Sequence, residues 1–184
     1  MVNIALVGCN GKMGKAVTSA VQSRNDCEIV FGADPFGTPA YDYPVFESLA
    51  VSDKKADVII DFSNPASLDD ILAYALEKKI PCVLCTTGYS PEQVEKIKKA
   101  SESVAVFYSG NMSLGINLLI ELSKEAAKIL GAADFDIEIV EKHHNQKIDA
   151  PSGTALMIAD GISDTLAEEP QYVYDRHSYR KKRS

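Results

Sequence analysis

The sequence predicts an α/β protein in which a doubly wound parallel sheet is followed by a second, smaller α+β lobe. Three observations carry that prediction: strand-like apolar runs alternate with helical repeats from Val2 to Tyr108, a glycine-rich turn joins the first strand to the first helix, and the rhythm changes after Asn111. Strict alternation with short connections calls for parallel strands, because each crossover returns over a face of the sheet and covers it with a helix.

The elements follow in order. Residues 2–7 read as a buried strand, and residues 12–24 carry Ala16, Val17, Ala20 and Val21 at helical spacing. Residues 28–33 read as a second strand ended by Asp34-Pro35, and residues 36–44, with Gly37, Pro39 and Pro44, as a loop. Alternation resumes with a strand at 58–62, a helix at 65–79, a strand at 82–86, a helix at 91–101 and a strand at 104–108. Beyond Asn111, residues 114–130 read as one long amphipathic helix, residues 136–141 alternate as a half-exposed strand, and a polar loop at 143–152 leads into a helix at about 154–166. The expected division is therefore a dinucleotide-binding domain over 1–111 and a substrate lobe over 112–184. The closing run from Arg176 to Ser184 is basic without an apolar face and is expected to be solvated.

Composition narrows the function classes. A chain of 184 residues, 46% hydrophobic and 24% charged, can bury a real core. A net charge of -7 argues against nucleic acid or an anionic membrane as partner. Four cysteines (Cys9, Cys27, Cys82, Cys85), with no signal-like start and no apolar run long enough to span a bilayer, lead to the expectation of a reducing cytoplasm.

The turn Gly8-Cys9-Asn10-Gly11-Lys12-Met13-Gly14 lies between a predicted strand and a predicted helix, the context a Rossmann-type dinucleotide fingerprint needs. Gly8 permits the tight turn, Gly11 lets the backbone approach a pyrophosphate, and Gly14 lets the helix pack closely, while the helix N-terminus favours negative charge. The alternative is a plain glycine turn into a helix. Asp34 lies 20 residues past Gly14 at the end of the second strand, where a carboxylate can accept bonds from ribose hydroxyls; as an Asp before proline it also suits a turn. Followed by Pro35 rather than an arginine, it disfavours a 2'-phosphate, so NADH is expected to serve at least as well as NADPH.

Cys82-x-x-Cys85 sits within an apolar strand and no second cluster supplies further ligands, so no metal site is expected there. The densest chemistry lies between Glu141 and Ala155. His143 and His144 with a lysine could deliver protons near neutral pH, and Ser152-Gly153-Thr154 opens a helix with N–H groups and hydroxyls suited to a carboxylate. A metal-binding histidine pair is disfavoured because neighbours in a strand or loop tend to point apart; a polar surface loop with an N-capped helix is the other alternative.

The run Glu-x-His-His-x-x-Lys-x-Asp-Ala-Pro-Ser-Gly-Thr-Ala resembles the signature of the 4-hydroxy-tetrahydrodipicolinate reductase (dihydrodipicolinate reductase) family of lysine and diaminopimelate synthesis. The likeness extends through Asp61-Phe62-Ser63, Thr86-Thr87-Gly88 and the stretch from Ser109 to Asn117. It implies an enzyme that passes a hydride from NADH or NADPH to a small dicarboxylate, 4-hydroxy-tetrahydrodipicolinate, with loss of water. It further implies that His143 donates or accepts a proton, Lys147 donates one, His144 touches substrate, and Gly153 and Thr154 hold a substrate carboxylate. On the cofactor side it assigns Gly8, Cys9, Asn10, Gly11, Lys12 and Met13 to the pyrophosphate and Asp34 to the ribose. Cys85, Thr86 and Thr87, with Ser109, Gly110, Asn111 and Met112, fall at the nicotinamide end.

Cys85 departs from the glycine often found before the two threonines, and its bulk is expected to shift the nicotinamide. Family members also continue past the basic tail into strands that complete the lobe and build a homotetramer. The chain is accordingly expected to be shortened, and the tetramer is not carried over to it. A cofactor-binding fragment without turnover is the alternative to the active reductase. An NADH-sensing regulator is a third reading, but no basic helix-turn-helix pattern flanks the Rossmann part.

Overall fold

A computed structural model describes residues 1–37, 41–133, 135–145, 147, 150–168 and 170–174. The chain divides into two compact units, residues 1–111 and 112–184.

The first unit is a six-stranded parallel sheet. Its strands are β1 (Val2–Val7), β2 (Cys27–Ala33), β3 (Val45–Phe46), β4 (Val58–Asp61), β5 (Cys82–Leu84) and β6 (Val106–Tyr108), in the spatial order β3-β2-β1-β4-β5-β6. Helices α1 (Lys12–Gln22), α2 (Leu68–Lys78) and α3 (Pro91–Ser101) supply the crossovers. The packing of β1 explains why residues 4–7 read as a continuous apolar run. Ala5 and Val7 join the core that holds Leu68, Ile71, Leu72 and Ala75 of α2, whereas Ile4 and Leu6 join a second core with Val17 and Val21 of α1. A strand buried on both faces has no solvent side to alternate with.

Local chemistry sets the helix starts. Ser90 caps α3 in a reciprocal box with Gln93, with Pro91 in the first turn, so the expected bounds 91–101 are observed. The short β3 falls after the expected loop; two residues are too few for a periodic signal. Residues 38–40 of that loop lie outside the described residues.

In the second unit, α4 (Leu114–Gly131) packs on α5 (Gly153–Ser163), and the approach is close enough that a Cβ at Gly161 would stand 2.9 Å from Ile120 Cγ2. The Tyr172 hydroxyl ties the following chain to α5, donating to Asp160 Oδ1 at 2.8 Å. One expectation is corrected: residues 136–141 do not form a strand. Their alternation is real, but a strand exists only through ladder bonds to a neighbour, and no described strand pairs with this segment. Ile137, Ile139 and Val140 are exposed in consequence.

Candidate functional site

The parallel order places the ends of β1 and β4 side by side with their crossovers leaving in opposite directions, which opens a crevice beyond the strand ends. A cavity of about 530 Å³ lies there, lined by Gly8, Asn10 and Gly11 of the turn, by Asp34 and Phe36 beyond β2, and by Ser63 and Asn64 beyond β4. Ser63 and Asn64 had no assigned role in the sequence reading; their signal is position, at the end of the strand that neighbours β1.

Steric demands shape the turn. Gly8 has φ +76°, and a Cβ there would stand 2.5 Å from the Phe62 carbonyl oxygen. A Cβ at Gly14 would run into Gly8 O and the Cys9 backbone. At Gly11 it would meet only Gly8 O, at 3.3 Å. Gly11 is also the N-cap of α1 and offers no side-chain cap, so the first-turn N–H groups of Lys12 and Met13 are left for an outside acceptor. No acidic residue stands in that turn to compete with an anion. These features fit a dinucleotide pyrophosphate.

Asp34 is braced from two sides. Its Oδ2 accepts from Asn10 N and its Oδ1 from Phe36 N, both at 2.9 Å, while Asn10 Nδ2 donates to Phe36 O at 2.6 Å. Each carboxylate oxygen keeps acceptor capacity for a ribose hydroxyl. Cys9 behaves differently from its neighbours. Its side chain is fully buried, burial and the charge of Asp34 push its thiol up to about 11, and its carbonyl accepts from the Tyr41 hydroxyl at 2.8 Å. It supports the turn from behind and does not line the cavity. Lys12 and Met13 are exposed on the first turn of α1.

Beyond β5 and β6 lie the residues expected at the nicotinamide end. Cys85 donates its N–H to Asp61 O at 2.9 Å and its thiol is buried, so its bulk goes into the protein. Burial, with the charge of Asp61, pushes both Cys82 and Cys85 up to about 11, which leaves these thiols protonated and unreactive at neutral pH. Thr86 is 5% exposed, and its hydroxyl, beside Tyr89, makes no hydrogen bond of good geometry. Asp61 is fully buried and accepts from Ser63 N, the Ser63 hydroxyl and the Tyr89 hydroxyl, tying the ends of β4 and β5 together. Thr87 and Gly110 are exposed, and Ser109 closes a small turn by donating to Asn111 O at 3.0 Å. Met112, exposed, opens the second unit.

In that unit Ser152 caps α5, its Oγ accepting from Ala155 N at 3.1 Å. Its own two donors go to one carboxylate: Ser152 N donates to Glu141 Oε1 at 2.8 Å and the hydroxyl donates to Glu141 Oε2. The expectation that Ser152 offers donors to a substrate carboxylate is therefore narrowed, and the exposed position of the turn is Gly153. A Cβ at Gly153 would meet nothing within 4 Å. His143 Nδ1 lies 3.5 Å from Glu141 Oε2. Lys147 N donates to His144 O at 3.2 Å, which folds the polar loop back on itself. Ser152, with the charges of His143 and Lys147 in support, holds the Glu141 carboxyl below the usual range. Gln146, Ile148 and Asp149 lie outside the described residues.

Fold, strand order and glycine turn together define a Rossmann-type dinucleotide-binding protein. A family profile described as dihydrodipicolinate reductase, N-terminus, matches residues 2–112, and one described as dihydrodipicolinate reductase, C-terminus, matches residues 115–183. The chain belongs to the dihydrodipicolinate reductase family. It is 50% identical over 182 residues to a 4-hydroxy-tetrahydrodipicolinate reductase of Clostridium tetani, covering 99% of this chain and 71% of that one. It is 48% identical over 183 residues to that of Caldanaerobacter subterraneus subsp. tengcongensis, covering 72% of the relative. Among solved structures, the dipicolinate-bound dihydrodipicolinate reductase of Paenisporosarcina sp. TG-14 superposes with a TM-score of 0.71 at 29% identity, over 95% of this chain and 70% of the other. No helix among the described residues is long and apolar enough to cross a membrane.

Proposed function

We propose that the chain reduces 4-hydroxy-tetrahydrodipicolinate to tetrahydrodipicolinate with NADH or NADPH. The observation that carries the reading is the joining, in one loop, of two proton-bearing side chains to a helix start suited to a carboxylate. His143 and Lys147 lie near the Glu141 carboxylate that holds Ser152, immediately before Gly153 and Thr154. The balance of the reaction needs those groups: one hydride and one proton enter, the ring C–O bond breaks and one water leaves. The nicotinamide supplies the hydride. As the hydroxyl leaves as water it takes up one proton while a ring C–H gives one up, and the ring takes up one proton after the hydride, a net uptake of one. Lys147 and His143 carry these protons, lowering the barrier by keeping charge from building up. His144 contacts the substrate, and Gly153 and Thr154 hold one of its carboxylates through N–H groups at the positive end of α5. The phosphate turn from Gly8 to Met13 and Asp34 hold the cofactor, with Thr86, Thr87 and Ser109 to Met112 toward its nicotinamide.

The direct test is to follow NADH absorbance at about 340 nm with the product of dihydrodipicolinate synthase as substrate. Oxidation dependent on that product is expected. NADH bound without oxidation would instead identify a cofactor-binding fragment.

Two local expectations accompany this reading. Asp34 has no cation beside it in the sequence to receive a 2'-phosphate, since Pro35 and Phe36 follow. The ratio of kcat/KM for NADH to that for NADPH should therefore be one or greater, and a strong NADPH preference would refute the role given to Asp34. At Gly153 an added methyl group meets open space, so Gly153→Ala should leave Tm unchanged. The same methyl group would intrude on a carboxylate seated at the N–H groups of the turn. The substrate KM is expected to rise by about tenfold, as for the loss of one hydrogen bond to a charged group.

A further inference from the structure

We propose that Glu141 is a positioning residue for proton transfer, holding the His143 ring by its Nδ1 edge and joining it to the start of α5. The proposal rests on the reductase reading and adds to it a task for a side chain that touches neither cofactor nor reacting atoms.

Three contacts converge on this one carboxylate. Oε1 accepts from Ser152 N at 2.8 Å, Oε2 accepts from the Ser152 hydroxyl, and Oε2 stands 3.5 Å from His143 Nδ1. The cap of α5 does not need the carboxylate, because Ser152 Oγ already accepts from Ala155 N at 3.1 Å. Glu141 therefore does something besides ending a helix. It turns the serine's remaining donors toward the loop and presents a fixed negative charge to His143 and Lys147. The hydrogen bonds from Ser152 hold the Glu141 carboxyl below its usual range, so it stays ionised at neutral pH.

The consequence for His143 is which nitrogen works. An imidazole whose Nδ1 faces a carboxylate keeps its proton there, and Nε2 becomes the atom that exchanges a proton with substrate. When Nε2–H gives its proton up, the ring returns to neutral with Nδ1–H still turned to Glu141; reprotonation at Nε2 restores the cation beside a carboxylate. No electron changes hands in this step. The 3.5 Å separation is ion-pair reach, and catalytic contacts of this kind are often longer without substrate than with it.

The test is Glu141→Gln, which keeps the shape and an acceptor for Ser152 N–H but removes the charge. The expected result is a kcat lowered by about tenfold or more with no weakening of dipicolinate binding, because a negative charge has been taken from beside a dicarboxylate. The ring 15N shifts of His143, read in the whole chain without turnover, should move from one tautomer toward a mixture. Unchanged kcat together with unchanged 15N shifts would overturn the proposal. So would parallel losses of Tm, dipicolinate affinity and kcat, the pattern of a purely structural contact. If the unmodified chain neither binds dipicolinate nor oxidises NADH, it is the reductase reading that fails; an active chain indifferent to Glu141→Gln removes only the role of Glu141.

Discussion

Lys147→Ala is expected to lower kcat by about 10²- to 10⁴-fold, the range for loss of a general acid, while the NADH dissociation constant stays within about threefold. The asymmetry follows from placement. Lys147 belongs to the second compact unit, in the loop that holds His143 and Glu141, whereas the glycine turn and Asp34 belong to the first. In the proposed role, loss of the ammonium takes a proton source from the reacting ring while the pyrophosphate turn stays intact, and a moderate rise in the KM for the dicarboxylate should accompany the fall in kcat. Stopped-flow turnover and fluorescence titration of NADH separate the two. Equal losses in turnover and cofactor affinity would contradict the role at the ring.

Gly14→Ala is expected to damage both stability and cofactor binding. Its methyl group would overlap Gly8 O, Cys9 Cα and Cys9 O, all backbone atoms that cannot rotate away. Relief requires α1 to move off the end of β1, and the core behind that helix start is closed, with Cys9 fully buried. Overpacking against fixed atoms costs about 1–3 kcal/mol or more, which lowers Tm by roughly 3–10 °C in a chain of this size. NADH binding should fall as well, because the displaced turn no longer presents the N–H groups of Lys12 and Met13. Gly11→Ala is the control. There the added carbon meets only Gly8 O at 3.3 Å, so Tm should hold while NADH binding is lost, since the methyl group enters the space of the pyrophosphate. Differential scanning calorimetry with a parallel NADH titration checks both. A Gly14→Ala protein as stable as the parent would show that α1 is not locked to the turn.

Most of the alternating strands and helices of residues 2–108 were legible because burial on both faces leaves a chemical trace in the central strands. Residues 4–7 are an unbroken apolar run, and Pro91 after Ser90 marks a helix start by itself. The strand expected at 136–141 was misread for the opposite reason. Period-two alternation states what a segment can do, and whether it pairs depends on a partner at a distance in sequence. Cys9 was assigned to the pyrophosphate by the family resemblance; which way its side chain points was decided by the close approach of Gly32, where a Cβ would strike Cys9 Sγ at 2.6 Å. Asp34 was legible as an acceptor, but its bracing by Asn10 was not, since that bond spans 24 residues.

By itself the sequence determined the parallel sheet, the glycine turn and the chemistry available in residues 141–155, because periodicity, glycine sterics and side-chain type are local properties. Tertiary structure decided how that chemistry is arranged. Ser152 became the partner of Glu141 across 11 residues, and Asp34 was set between Asn10 and Phe36. A donor is committed by whichever acceptor the folded chain brings within about 3 Å, and that is fixed by the path of the backbone and not by the identity of the residue.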